Sequence, residues 1–103
     1  MNEPSHCDPN GFKAAAAQYK KLYVLIQPEQ SECPACQELD GLISRADIKT
    51  PIVKVPGDTC SAIADELGVG QYPTVVLMRG GKAVKTHKGI PNSEIVKRMV
   101  AGK

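Results

Sequence analysis

The sequence predicts an α/β fold in which a parallel or mixed sheet of four strands is flanked by helices. Two continuous apolar runs of strand length, residues 22–26 and 74–78, indicate strands that are covered on both faces. Segments with apolar residues at helical spacing lie between and around these runs. With 103 residues, the chain has the size of one domain with a single core.

The beginning of the chain divides into a leader and a helix. Residues 1–10 are polar and contain two prolines, which is typical of an N-terminal leader, so the domain is expected to span residues 11–103. Asn10 is a suitable cap for the helix that follows, in which Phe12 and Tyr19 belong to one apolar stripe. This stripe should pack on the sheet.

Two strands and a helix are expected in the middle of the chain. Residues 22–26 form the central strand, and Leu39 and Ile43 mark the buried face of the helix that begins at a pair of cysteines. Residues 51–55 form the next strand, with Pro51 at its first position, where its missing N–H is harmless. The predicted order is strand, polar loop, cysteine motif, helix and strand.

A short helix follows, with Cys60 on its apolar face. Asp58 or Thr59 is expected to cap this helix, and Gly68 is expected to end it, because glycine readily adopts the left-handed conformation that stops a helix. Cys60 is therefore assigned to the core.

A hairpin and a helix complete the domain. Gly80 and Gly81 form the turn between the second apolar strand and an alternating strand at residues 82–87, which is the only strand expected at an edge of the sheet. Asn92 or Ser93 then caps the last helix, whose apolar residues recur at helical spacing.

The composition argues against several classes of function. The net charge is only +2 and the charged residues, 23% of the chain, are scattered, so no concentrated basic face for nucleic acid is expected. No apolar stretch has membrane-spanning length, and the N-terminus lacks the basic and apolar regions of a signal peptide. We therefore expect a cytoplasmic monomer without nucleic-acid or membrane partners, a precursor that has lost its signal peptide being the alternative. In a reducing compartment, four cysteines favour catalysis or metal binding over a disulfide framework.

The motif Cys33-Pro34-Ala35-Cys36 places two thiols one helical turn apart, at the start of a helix. A thiol at a helix N-terminus faces unpaired backbone N–H groups and the positive end of the helix dipole, which favour the thiolate. Cys33 is therefore the expected nucleophile, and Cys36, one turn further in, is the expected resolving thiol. Pro34 suits the first helical position, where its fixed φ is already helical.

Two other interpretations of the motif have to be considered. Cys33 and Cys36 could be half of a zinc site that is completed by Cys7, His6 or Cys60. Cys60 stands outside any second pair, and adjacent ligands at positions 6 and 7 do not form a familiar metal-binding knuckle, so redox chemistry is favoured. The third interpretation keeps the same fold as a binding module without catalysis.

Taken together, the order of elements and four local motifs resemble the thioredoxin family from about residue 22 to residue 100. The resemblance implies a three-layer sandwich around a mixed sheet of four strands, or five if a strand precedes Phe12. It also implies that Pro73 is cis and lies against the active-site disulfide, and that the backbone of Tyr72 pairs with the substrate chain. The motifs are the cysteine pair with its two intervening residues, Tyr72-Pro73-Thr74, the Gly80-Gly81 hairpin, and Gly89 after the edge strand.

The resemblance implies a small protein disulfide oxidoreductase that needs no bound cofactor beyond its redox-active disulfide, Cys33–Cys36. In this interpretation Cys33 attacks a substrate disulfide and Cys36 resolves the mixed disulfide. The implied partners are disulfide-containing proteins and an electron donor similar to thioredoxin reductase. The implied substrate-binding residues are Pro34, Ala35, Tyr72, Pro73 and Gly89.

The sequence also departs from the family pattern. Glu32 stands where thioredoxins have tryptophan, and Pro34 occupies the first intervening position, as in glutaredoxins, although the last helix lacks their glutathione-binding pattern. Gln27 replaces a buried aspartate that assists proton transfer at the resolving thiol, so this assistance is weakened or comes from elsewhere. Lys54 lies near the place of a lysine that accompanies this aspartate and is interpreted as a solvated strand residue.

Overall fold

The structure, a computed structural model, describes residues 8–29 and 32–103. Within these residues helices and strands alternate except at one hairpin, where β3 is followed directly by β4, as the apolar periodicity and the Gly80-Gly81 turn predict. The elements are α1 (Pro9–Ala16), β1 (Leu22–Gln27), α2 (Pro34–Arg45), β2 (Ile52–Pro56), α3 (Ser61–Glu66), β3 (Thr74–Arg79), β4 (Lys82–His87) and α4 (Asn92–Val100).

The four strands form one mixed sheet in the order β2-β1-β3-β4. β1 runs parallel to β2 and antiparallel to β3, and β3 runs antiparallel to β4. The two strands with continuous apolar runs, β1 and β3, occupy the interior of the sheet, where both of their faces are covered. The predicted mixed four-stranded sheet with flanking helices is confirmed.

Alternate side chains of the interior strands enter two separate cores, because successive residues of a strand point to opposite faces. On one face, Val24 and Val76 pack with residues of α1 and α3, which include Ala16 and Ile63. On the other face, the core contains residues of β1, β3, α2 and α4: Tyr23, Leu25, Val75, Leu77, Leu39, Ile95 and Met99. The molecule is therefore a three-layer sandwich, with α1 and α3 on one side and α2 and α4 on the other.

The register brings four connections to the same end of the sheet. Ile26 near the end of β1 pairs with Thr74 at the start of β3, and Val75 pairs with His87 at the end of β4. The end of the parallel strand β2 lies beside the end of β1. The same end of the sheet consequently carries the cysteine motif, the turn after β2, the entry into β3 and the turn after β4.

The first helix begins earlier than the sequence predicts. α1 begins at Pro9 and is capped by Asp8, whose carboxylate accepts hydrogen bonds from the backbone N–H groups of Asn10 (3.3 Å) and Gly11 (3.1 Å). The expected cap, Asn10, lies inside the helix. Proline at the first helical position loses no intrahelical hydrogen bond, and the preceding aspartate satisfies two of the free N–H groups.

The predicted caps of the last two helices are also wrong. Asp58 accepts from the backbone N–H groups of Glu29 (2.7 Å) and Thr59 (2.9 Å), while Cys60 is the N-cap of α3 without a side-chain capping bond. Pro91 is the N-cap of α4, and the amide of Asn92 is directed to another helix. These polar side chains are used to join segments distant in the chain.

β4 is not the only edge of the sheet. Among the described residues β2 pairs with β1 alone, so it forms the opposite edge, and both Val53 and Lys54 are exposed there. The chain enters β1 from α1, without a described strand that could cover β2.

None of the helices in the described residues combines the length and apolar character needed to cross a bilayer.

Candidate active site

The two motif cysteines are joined by a disulfide at the N-terminus of α2. Cys33 is the N-cap and Pro34 is the first helical residue, as the sequence predicts. The Sγ atom of Cys33 accepts a hydrogen bond from the backbone N–H of Cys36 at 3.2 Å. A helix N-terminus that donates to a sulfur also stabilises negative charge on that sulfur when the disulfide is opened.

The two sulfur-bearing residues differ in exposure. Cys33 is partly exposed at the surface, whereas Cys36 is only 4% exposed and belongs to the buried residues of α2. An incoming disulfide can approach Cys33 far more readily than Cys36. This asymmetry agrees with the order of action expected from the sequence.

The peptide bond between Tyr72 and Pro73 is cis, immediately before β3. Pro73 is buried, while Tyr72 is 38% exposed. The Tyr72 ring lies against Gly57, because a Cβ atom at Gly57 would stand 2.6 Å from Tyr72 Cε1 and 2.9 Å from Ile26 Cγ2. Gly57 therefore provides the space in which the Tyr72 ring rests. In the sequence, a glycine at this place just after an apolar strand indicates no more than the end of that strand.

Gly89 follows β4 at the same end of the sheet. Its φ of +72° lies in the left-handed region that favours glycine. A Cβ atom here would stand 3.8 Å from Gln71 Nε2, so Gly89 borders the segment that leads to Tyr72. The main chain of Gln71 is held in turn by Thr74, whose hydroxyl donates to the Gln71 carbonyl at 2.7 Å. The turn after β4 thus adjoins the entry into β3.

Asn92 connects α4 to the cysteine motif. Its Nδ2 donates to the carbonyl oxygen of Ala35 at 2.9 Å and to Glu38 Oε1 at 2.8 Å. The amide therefore holds the first turn of α2 from the neighbouring helix. Asn92 was expected to be a cap, and only the packing of α4 on α2 reveals this contact.

A hydrogen-bonded array lies beneath the motif at the end of β1. Gln27 Nε2 donates to Asp40 Oδ1 at 2.9 Å and makes a longer contact of 3.4 Å with the carbonyl oxygen of Cys36. Lys54 Nζ lies 3.3 Å from the same Asp40 oxygen while its side chain is 61% exposed, so Lys54 is the solvated strand residue expected from the sequence and also pairs with Asp40. Asp40 belongs to no motif in the sequence, although its spacing of four residues from Cys36 places it on the same helix face.

The comparison with protein families agrees with this arrangement. The thioredoxin family model, described as Thioredoxin, matches residues 4–101, almost the whole chain. The chain belongs to the thioredoxin family. The resemblance inferred from the motifs is thereby confirmed, and it extends further toward the N-terminus than those motifs do. A search of curated proteins finds no match to the chain.

Solved structures show the same thioredoxin fold at low sequence identity. Thioredoxin NaTrxh from Nicotiana alata is 24% identical with a TM-score of 0.71, over 100% of this chain and 97% of that one. Oxidised thioredoxin from Plasmodium falciparum is 20% identical with a TM-score of 0.72, over 92% and 91%. A chain from work on the thiol resolving mechanism of yeast mitochondrial 1-Cys peroxiredoxin via the glutathione and thioredoxin systems is 21% identical with a TM-score of 0.74, over 90% and 89%.

The zinc interpretation finds no support in this thioredoxin-family chain. Residues 8–29 and 32–103 contain no group of three or more histidine, cysteine, aspartate or glutamate side chains arranged to hold a metal ion. Cys60 is buried in the core, as expected, and is disulfide-bonded, so it has no thiolate to offer a metal. The other two suggested ligands, His6 and Cys7, lie outside the described residues.

Proposed function

We propose that this protein is a thiol–disulfide oxidoreductase that reduces disulfides in other proteins through Cys33 and Cys36. The observation that carries the proposal is the asymmetry of the pair. Cys33 is accessible and its sulfur accepts the backbone N–H of Cys36, whereas Cys36 is 4% exposed. An exposed sulfur at a helix N-terminus is suited to attack, and a buried neighbour is suited to resolution.

The proposed reaction transfers two electrons in two exchange steps. The thiolate of Cys33 attacks one sulfur of the substrate disulfide, a mixed disulfide forms, and the first substrate sulfur leaves as a thiolate that takes up a proton. Cys36 then loses its proton and attacks the Sγ atom of Cys33. The second substrate thiolate leaves and is protonated, and the Cys33–Cys36 disulfide remains. The substrate is reduced and the protein is oxidised.

The substrate is proposed to bind as an extended segment at the end of the sheet that carries the motif. Tyr72 and Pro73 would contact its main chain beside the sulfurs, in the manner of a peptide added to a sheet edge. Pro34, Ala35 and Gly89 would form the rest of the contact. This assignment is supported by the register of the strands, which brings the motif, the cis peptide and the turn after β4 to the same end of the sheet.

Two classes of partner follow from the proposed reaction. An electron donor similar to thioredoxin reductase would return the oxidised pair to dithiol, and no further cofactor is needed. Protein disulfides are the substrates, and one structural neighbour comes from work on a peroxiredoxin, which makes a thiol peroxidase a substrate to test. The expected cytoplasmic location and monomeric state stay predictions.

Single replacements of the two cysteines test this proposal. Cys36→Ser should accumulate a covalent adduct with insulin, because Cys33 still attacks and resolution is blocked. Cys33→Ser should neither reduce insulin nor capture it, because the attacking sulfur is gone. The measurement is the covalent adduct on non-reducing gels after quenching with acid, with the wild type as the control that turns over without accumulation. Adducts only in Cys33→Ser would reverse the roles, and adducts in neither variant would contradict the proposal.

A further inference from the structure

We propose that the Asp40 carboxylate, which is held next to the Cys36 turn by Gln27, accepts the proton of Cys36 through water during the resolving step. The inference deepens the proposed function and rests on it. It concerns the array of Gln27, Asp40 and Lys54 at the end of β1.

The resolving step needs such an acceptor because the thiolate, rather than the thiol, attacks a disulfide. Cys36 is 4% exposed, and burial disfavours the charged form of a thiol. The helix N-terminus is also less effective for Cys36 than for Cys33, since the backbone N–H of Cys36 itself points to Sγ of Cys33. A nearby carboxylate that takes the proton during the attack would lower this barrier.

The position of Asp40 fits this role. Asp40 lies one helical turn after Cys36 on the same face of α2, and that face meets the end of β1. Gln27 reaches both residues, with Nε2 at 2.9 Å from Asp40 Oδ1 and at 3.4 Å from the Cys36 carbonyl oxygen. Gln27 thus fixes the carboxylate next to the turn that carries the resolving sulfur.

The charges around Asp40 favour proton transfer over repulsion of the thiolate. Lys54 on β2 lies 3.3 Å from Asp40 Oδ1 and offsets its charge at Cys36. Of the other nearby carboxylates, Glu38 faces α4 and accepts from Asn92, and Glu29 accepts from the hydroxyl of Thr59. The Gln27 amide contributes no charge.

A crevice of about 230 Å³ lined by Gln27, Lys54, Glu29 and the end of β2 brings water to two residues of this array, and the Asp40 side chain is itself 36% exposed. A crevice of this size holds several water molecules. In the proposed step the Cys36 S–H bond breaks, its proton passes through water to the Asp40 carboxylate, and the sulfur attacks Sγ of Cys33. The proton then leaves Asp40, whose side chain is 36% exposed, to solvent, and the departing substrate thiolate takes up a proton from solvent.

The test separates attack from resolution with 5,5′-dithiobis(2-nitrobenzoate). Cys33 of the reduced protein should release one thionitrobenzoate at a rate that rises with reagent concentration. Cys36 should then release the second at a rate independent of concentration. Asp40→Asn should leave the first phase unchanged and slow the second at pH 7 by about 10- to 100-fold, at or below the usual contribution of a positioned base because water intervenes.

The pH profile distinguishes proton transfer from a structural effect. As the pH rises through the range in which the Cys36 thiol ionises by itself, the rates of Asp40→Asn and wild type should converge, because the thiolate then forms without a proton acceptor. Asp47→Asn removes the same charge from a side chain that is 81% exposed and pairs with Lys49, so it should match wild type at every pH. The Cys36→Ser variant lacks the resolving thiol, so its release of thionitrobenzoate measures the contribution of every other thiol.

Three outcomes would overturn the inference while leaving the proposed function intact. They are an unchanged second phase in Asp40→Asn, an equal slowing at every pH, and a faster second phase. The last would mean that the carboxylate acts on Cys36 mainly by repulsion. Absence of a concentration-independent second phase in the wild type would instead contradict the proposed function itself.

Discussion

Individual polar and glycine residues around the disulfide are the part of the site that the sequence predicts least well. The cysteines and Pro34 could be placed because a helix start has strong local preferences. Gly57, Asp40 and the contact of Asn92 with the motif could not, because each depends on how separate elements pack. A glycine after a strand indicates a turn, and only the folded chain shows that an aromatic ring rests on it.

Replacement of Gly57 by alanine tests the seat of the Tyr72 ring. The new Cβ would stand 2.6 Å from Tyr72 Cε1, which can move because the ring is partly exposed, and 2.9 Å from Ile26 Cγ2, which is fully buried. We expect Gly57→Ala to lower the free energy of unfolding by about 1–3 kcal/mol, the usual cost of overpacking. It should also raise KM for insulin, because Tyr72 is displaced. Denaturant titration and steady-state assays measure the two effects.

Gly70 provides the matched control. A Cβ atom there has no heavy atom within 4 Å, and its φ is not in the left-handed region. Gly70→Ala should therefore preserve both stability and KM. Equal behaviour of the two alanine variants would show that Gly57 does not seat the tyrosine ring.

At the scale of elements, β4 and the end of the chain are held together by a buried histidine. His87 is 1% exposed, and its Nε2 lies 2.9 Å from the carbonyl oxygen of Lys103, which also accepts from the hydroxyl of Tyr23 at 2.9 Å. The carbonyl needs a donor, so the neutral ring carries its proton on Nε2. Nδ1 has no hydrogen-bond partner among the described residues, and a second proton there would be unsatisfied.

This contact predicts a loss of stability in mild acid. Burial lowers the pKa of His87 below its usual value of 6.5; the hydrogen bond to Lys103 opposes the shift, and the charges of Arg98 and Lys85 add to it. As the pH falls below about 6.5, the unfolded chain binds a proton that the folded chain does not, so the free energy of unfolding decreases. Denaturant titrations of the wild type at pH 7 and pH 5 should show this decrease.

His87→Gln supplies the comparison, because its amide can donate to the same carbonyl and does not titrate. The difference in unfolding free energy between wild type and His87→Gln should change between pH 7 and pH 5 in favour of the variant. A difference that is the same at both pH values would mean that His87 gains its proton equally in the folded and unfolded states.

For the whole molecule, the order of elements and the mixed sheet could be predicted, because long apolar runs and helical stripes are properties of the local sequence. The position of β2 at the second edge of the sheet could not be predicted. A strand lies at an edge when no further strand pairs with it, and the local sequence does not show which strands pair. The caps of α3 and α4 were assigned incorrectly for a related reason. Asp58 and Asn92 are good caps by type, but in the fold they hold Glu29 and Ala35.

The arrangement of the strands explains why one end of the sheet is suited to disulfide exchange. At this end β1 leads into the cysteine motif, β3 begins after the cis peptide, and β4 ends before Gly89. The central claim is that Cys33 and Cys36 at this end of the sheet pass two electrons to a substrate disulfide without a bound cofactor. This claim concerns stoichiometry, so it can be tested by counting thiols.

The most direct measurement mixes the reduced protein with one equivalent of insulin, quenches with acid, alkylates all free thiols and identifies the modified peptides by mass spectrometry. The account predicts that Cys33 and Cys36 lose their thiols together while insulin gains two, with no added cofactor. Cys33 and Cys36 that remain fully alkylated while insulin is reduced, or insulin that stays oxidised, would contradict it.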